Sequence, residues 1–193
     1  MTDDLLLEIG VEELPASFVA AAVEALPGAF AEELDNLRLN HGALWVGGTP
    51  RRLAVIVTGV ARQQPDLDEE VLGPPARVAF DAAGNPTRAA LAFAEKIGCA
   101  PSALRRVDTP KGEYLGGRRT EKGRRASELL PAALARVCAK IPFRKSMRWS
   151  TGETAFGRPV RWLLALHGGS TLDFAFAGVT SGAVSYGHRF IAP

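Results

Sequence analysis

The chain has 193 residues, of which 47% are apolar and 23% charged, with a formal net charge of +2. That length supports one good core, or two small lobes sharing one, and no apolar run approaches the roughly 18–20 residues needed to span a bilayer. The start, Met1-Thr2-Asp3-Asp4, is acidic and lacks the basic segment of a secretory signal, so no membrane partner and a cytoplasmic location are expected.

Residues 1–40 carry nine acidic groups and one basic group, a balance of −8, which leaves +10 for the remainder. Such a split predicts an acidic face for solvent or protein and a basic face able to meet phosphate. The two cysteines, Cys99 and Cys138, lie far apart in apolar helical patterns and read as small buried hydrophobes. His41, His167 and His188 show no metal-ligand spacing, so no metal site is expected.

In chain order, Leu5–Ile9 reads as a short strand, and Pro15 suits the first turn of a helix. Phe18, Val19, Ala22, Val23 and Leu26 recur at helical spacing. Pro27-Gly28 should kink or divide that helix before Asn40-His41-Gly42 ends it. Ala43–Val46 and Arg52–Val57 read as neighbouring strands about a turn at Gly47–Pro50. Gln63–Gly73 is polar and predicts a surface crossing, with a sub-lobe boundary near 73–76 at Gly73-Pro74-Pro75. Asn85-Pro86-Thr87 starts a helix that Gly98 caps. Pro110-Lys111-Gly112 joins strands at Arg105–Asp108 and Glu113–Arg119. Arg124–Lys140 is a helix in which Pro131 marks a bend or a second start. Val160–His167, Thr171–Ala177 and Val184–Arg189 complete the strands. Without regular strand–helix alternation, the expected class is α+β, a mostly antiparallel or mixed sheet with packed helices and up to two sub-lobes.

No G-x-G-x-x-G or phosphate-loop lysine motif is present, so this region should not itself bind ATP in either familiar way. Glu12 and Glu13 offer a carboxylate pair, but adjacent residues point apart, and both precede a helix start where negative charge is favoured. Capping or plain surface is the simpler role, and an acid/base enzyme using Glu12, Glu13 and His188 is the remote alternative. Arg51 and Arg52, at a turn entering a strand, should serve different partners, through salt bridges or phosphate contacts. Pro142–Ser150 interleaves Arg144, Lys145 and Arg148 with Phe143, Met147 and Trp149, the composition of an RNA-contacting loop. Core packing of Met147 and Trp149 accounts for them equally well. Arg158 and Arg161 flank a strand start, and His188 and Arg189 close the last strand.

Leu7-Glu8-Ile9-Gly10-Val11-Glu12-Glu13-Leu14-Pro15, Thr49-Pro50-Arg51-Arg52-Leu53, Lys145-Ser146-Met147-Arg148-Trp149, Arg158-Pro159-Val160-Arg161-Trp162 and Gly187-His188-Arg189-Phe190 follow one another across nearly the whole chain. In this order and at these distances they resemble the beta subunit of bacterial glycyl-tRNA synthetase. Ser150, where the family commonly has glycine, and Pro27 depart from the pattern. So does length, because the family's subunit continues for several hundred residues. The chain is therefore expected to be the N-terminal region, 1–193, of something longer.

The resemblance implies an alpha2-beta2 heterotetramer that attaches glycine to tRNA(Gly). Its ATP and Mg²⁺ would act at the alpha subunit's class II active site, and no cofactor would be bound by this region. No catalytic residue is carried over. The expected RNA-binding residues are Arg51, Lys111, Arg144, Lys145, Arg148, Arg158, Arg161, His188 and Arg189. The alternative is a purely structural or interaction module whose arginines pair with the acidic helix of residues 15–39.

Overall fold

The computed structural model describes residues 1–81, 84–149 and 152–187. In chain order the elements are β1 (Thr2–Val11), α1 (Ala16–Asn36), β2 (Leu44–Thr49), β3 (Arg52–Ala61), β4 (Leu67–Pro75), α2 (Ala76–Ala79), α3 (Arg88–Ile97), β5 (Arg105–Thr109), β6 (Gly112–Glu121), α4 (Ala126–Lys140), β7 (Val160–His167), β8 (Ser170–Thr171), β9 (Ala175–Phe176) and β10 (Val179–Gly182). The class is α+β. The chain divides into two compact units, one of residues 1–64 with 124–193, the other of residues 65–123. Pro74-Pro75 lies inside the second unit, where β4 meets α2.

The larger unit is a mixed sheet in the order β2-β3-β1-β7-β10-β9, with β8 beside β7. The central strand β1 runs antiparallel to both β3 and β7, and β10 runs parallel to β7. Alternation decides the faces. Leu5, Leu7, Ile9 and Val11 of β1 and Leu53, Val55 and Val57 of β3 are fully buried. They share one apolar cluster with Ala22, Leu26, Phe30 and Leu34 of α1 and Leu130, Leu134 and Val137 of α4. Leu6, Glu8 and Gly10 point to the other face, which carries no helix among the described residues.

The proline expected to kink or divide the first helix does not divide it: α1 runs unbroken from Ala16 to Asn36 through Pro27. The loss is about 3 kcal/mol, for one missing N–H donor and a clash with the preceding turn. Ala22 and Leu26 before the proline, and Phe30 and Leu34 after it, are all buried in the same core. Each large side chain among them contributes about 1.5–3 kcal/mol by burial, so the tertiary gain wins. Helix α4 likewise continues through Pro131, so no second helix starts there.

Other corrections concern strand limits. The β2–β3 turn falls at Pro50-Arg51, and Gly47 and Gly48 stay in the ladder opposite Ala54 and Leu53. The polar stretch after Gln63, read as a surface crossing, forms β4. Its charges are satisfied across the sheet, with Asp68 on Arg118, Glu69 on Arg119 and Glu70 on Arg105. Of the C-terminal strand expected at Val184–Arg189, residues 184–187 have no strand pairing and residues 188–189 lie outside the described residues; the last strand described is β10.

The smaller unit is an antiparallel sheet in the order β4-β6-β5. Ala79 of α2, Ala90, Phe93 and Ile97 of α3 and Leu115 of β6 form its core. Helix α3 ends as its sequence predicts, with Gly98 at φ 72° in the left-handed region where glycine carries no Cβ penalty.

Candidate nucleic-acid interface

Neighbouring strand ends bring distant segments together at one end of the larger sheet. The amide of Val11 donates to the carbonyl of Arg51 at 3.0 Å, that of Glu12 to Pro159 at 3.0 Å, and that of Leu14 to Pro50 at 2.6 Å. Thus the exit of β1, the β2–β3 turn and the entry of β7 are side by side. The Pro142–Trp149 loop joins them. Met147 and Phe156 exchange backbone hydrogen bonds at 2.8 and 3.1 Å, and the Phe143 ring packs on Phe156 and Phe18 at 4.8 and 5.4 Å.

The basic residues at this end are mostly unneutralised. Arg51, Arg144, Lys145, Arg148 and Arg158 have no carboxylate partner among the described residues. Arg148 donates to the Glu153 carbonyl at 2.9 Å, and the Arg158 guanidinium lies 5.9 Å from the Phe18 ring centroid. Arg161 is the exception, 3.4 Å from Glu12. That contact engages Glu12, and α1 has no side-chain cap, so of the two roles expected for Glu12 and Glu13, capping or surface, the surface one holds, with Glu12 half-exposed and Glu13 exposed. Lys111 sits in the smaller unit, at the β5–β6 turn, also without a carboxylate partner among the described residues. His188 and Arg189 lie outside the described residues. Trp149 packs half-buried against the core, whereas Met147 is exposed.

Elsewhere in the larger unit three arginines are paired, while Arg38 and Arg125 have no carboxylate partner among the described residues. Arg62 binds Asp3, Arg124 stands 3.5 Å from Glu128, and Arg136 stands 2.8 Å from Glu33. Lys140 reaches Glu32 and Glu33 at 2.9 Å each. The acidic helix thus pairs with α4 rather than with the arginines of the strand ends, of which Arg51 and Arg158 have no carboxylate partner among the described residues. Hydrogen bonding from Arg136 holds the Glu33 carboxyl below the usual glutamate range, and the Asp3 carboxyl is lowered in the same way by Arg62.

Sequence reasoning passed over a second constellation, on the helix-free face of the sheet. Glu8, only 7% exposed, accepts hydrogen bonds from the Trp162 indole at 2.6 Å and the Ser185 hydroxyl at 2.9 Å. Arg52 Nε stands 3.3 Å from the same carboxylate, an ion pair without a well-aligned hydrogen bond, and its Nη2 donates to the Tyr186 carbonyl. The Trp162 and Tyr186 rings meet edge to face at 5.1 Å. Glu8, Arg52 and Trp162 thereby hold Ser185 and Tyr186 to the sheet. A lone glutamate in an apolar strand, Leu5-Leu6-Leu7-Glu8-Ile9, was the available signal, since a buried carboxylate demands partners.

The chain matches the family model described as glycyl-tRNA synthetase beta subunit over residues 5–193. It is 50% identical over 193 residues to the glycine–tRNA ligase beta subunit of Myxococcus xanthus (strain DK1622), covering 100% of this chain and 28% of that one. It is also 50% identical over 190 residues to that of Anaeromyxobacter sp. (strain K), covering 98% and 27%. With that of Citrifermentans bemidjiense the identity is 46% over 192 residues, covering 100% and 28%. The chain thus spans little more than a quarter of the length of these curated relatives.

Proposed function

The chain belongs to the family of glycyl-tRNA synthetase beta subunits, and from that premise we propose that it is the N-terminal region of a glycine–tRNA ligase subunit that supports tRNA binding. Glycine activation, with its ATP and Mg²⁺, would belong to an alpha subunit in an alpha2-beta2 cytoplasmic assembly. This region would supply surface rather than chemistry.

The observation that carries the reading is the segregation of charge. Arg51, Arg144, Lys145 and Arg158 gather at one sheet end without carboxylate partners among the described residues, even though Arg52 and Arg161 at the same end are paired with Glu8 and Glu12. Unneutralised guanidinium and ammonium groups are what a phosphate backbone recruits.

The test is tRNA binding by the assembled enzyme across a salt series. Replacing Arg144, Lys145 and Arg158 by alanine should weaken binding and flatten the slope of log K against log salt. The slope should change by about one unit for each phosphate that is no longer neutralised. Unchanged affinity and slope would rule this surface out.

A second role, in subunit assembly, is favoured by the helix-free face of the larger sheet. Trp45 and Ile56 are adjacent partners there and are 56% and 38% exposed. Large apolar groups at neighbouring positions suit a protein interface.

A further inference from the structure

In the smaller unit a cleft of about 440 Å³ opens between α2 and the β5–β6 hairpin. That volume lies within the range of small-molecule sites, about 300–1,000 Å³. Its lining includes Arg77, Phe80, Arg106, Lys111, Glu113 and Tyr114. We propose that this cleft receives one unstacked nucleotide of single-stranded RNA. The base would lie on the Arg106–Phe80 pile and the phosphate against Lys111 and Arg77. The proposal deepens the RNA-binding reading above and rests on it, at a site separate from the basic sheet end.

The platform is preformed. The Arg106 guanidinium carbon lies 5.0 Å from the Phe80 ring centroid, and its Nη1 is fixed at 3.2 Å from Glu113. A planar guanidinium held in place by a carboxylate loses little freedom on binding, and bases stack on such planes as they do on aromatic rings. The Arg106 side chain is still 54% exposed. Tyr114, on the strand beside it, adds a second ring to the wall.

Charge selects an anion. Lys111 and Arg77 have no carboxylate partner among the described residues. Of the carboxylates in the wall, Glu113 is paired with Arg106, while Asp81 accepts hydrogen bonds from the backbone and side-chain amides of Asn85 at 2.8 and 3.2 Å and keeps its charge, so three cations face two carboxylates. By contrast Arg105, Arg118 and Arg119, on the strands' charged positions, are all paired with acids of β4. The cleft therefore combines a stacking surface with uncommitted cations, the two features by which single strands are held without base-edge readout.

The test uses the 193-residue chain and a fluorescein-labelled octauridylate carrying one photoreactive 4-thiouridine. Arg106→Ala with Lys111→Ala should weaken binding about tenfold, and the crosslinked peptide should contain Phe80 or Tyr114. Lys111→Ala alone, at an exposed turn, should give a smaller loss in the same direction without any change in circular dichroism. Adenosine monophosphate should compete far more weakly than unlabelled octamer. Unchanged affinity in both cleft variants, with crosslinks confined to residues 144–158, would overturn the cleft and leave the basic sheet end standing. No octamer binding by the unmodified chain would overturn the cleft, whereas the tRNA-binding reading stands or falls with the salt series on the assembled enzyme. Adenosine monophosphate binding as tightly as the octamer would overturn the single-strand proposal and assign the cleft to a free nucleotide. Equal competition by an oligoglutamate peptide would overturn it too, reducing the cleft to a charged surface.

Discussion

Gly10 tests the constellation around Glu8 more sharply than any of its polar members. It sits in β1 opposite Trp162 of β7 and Arg52 of β3. A Cβ at this position would lie 1.9–2.2 Å from atoms of the Trp162 indole, far inside contact distance. Glycine is required here by space, because the ring lies across the strand. Gly10→Ala should therefore displace Trp162. The displaced ring loses its hydrogen bond to the Glu8 carboxylate, worth about 1.5–3 kcal/mol, and its edge-to-face packing with Tyr186, worth about 0.5–1.5 kcal/mol. Against this, alanine restricts the unfolded chain and recovers about 0.4–1 kcal/mol. The net expectation is a destabilisation of about 1–4 kcal/mol. Urea unfolding measures it, in a double-mutant cycle with Trp162→Ala. Once the ring is gone, Gly10→Ala should be neutral or slightly stabilising. An equal cost in both backgrounds would refute the claim that the indole is what excludes the side chain.

Three further outcomes follow from the same geometry. Glu33 is buried against Arg136 and Lys140, so Glu33→Gln should cost about 1–2 kcal/mol at pH 7 in urea unfolding. Because the folded carboxyl titrates below its ordinary value of 4.5, that stabilisation is complete above this value and fades as pH falls through the lowered one. The gap between the two proteins should close in acid, and a gap independent of pH would contradict the pairing. Burial pushes the Cys138 thiol up to about 12, whereas Cys99 is only half-buried. At about pH 8 a chromogenic disulfide should therefore titrate Cys99 first and Cys138 only on unfolding, and two equally fast thiols would be the contrary result. Pro27→Ala should stabilise α1 by up to about 3 kcal/mol, by restoring a helical donor and removing a clash. A lower urea midpoint would mean that the ring's own packing outweighs both.

Much of the fold could be read from local rules. The strands on either side of Pro110-Lys111-Gly112, the Gly98 helix end and β7 from Val160 to His167 each follow from turn chemistry or apolar runs. The failures share one physical cause, which is that tertiary partners overrode a local signal. Pro27 stays helical because its neighbours are buried on both sides. β4 reads as polar surface because its acids are satisfied by arginines of β5 and β6, far along the chain. The basic end was legible as a set of residues, but the separation of paired from unpaired cations was not. Arg52 and Arg51 are adjacent and alike in sequence, yet one is committed to Glu8 and the other has no carboxylate partner among the described residues.

The same constellation ties together short segments that are far apart in this chain. Glu8 and Trp162, 154 residues apart, are joined by a hydrogen bond because β1 and β7 are neighbours, and Arg52 enters from β3 on the other side. Three of the five motifs each contribute one residue to this constellation: Glu8 from the first, Arg52 from the second, Trp162 from the fourth. The residues beside them, Glu12, Arg51, Arg158 and Arg161, fall at the strand ends. Removing one member leaves a buried charge or an unfilled donor, at a cost of about 1–3 kcal/mol, so the three constrain one another. Arg144 and Lys145, exposed and without a carboxylate partner among the described residues, carry no such structural penalty. A function on that surface can therefore be removed by mutation without unfolding the sheet beneath it, which is what makes the tRNA-binding test interpretable.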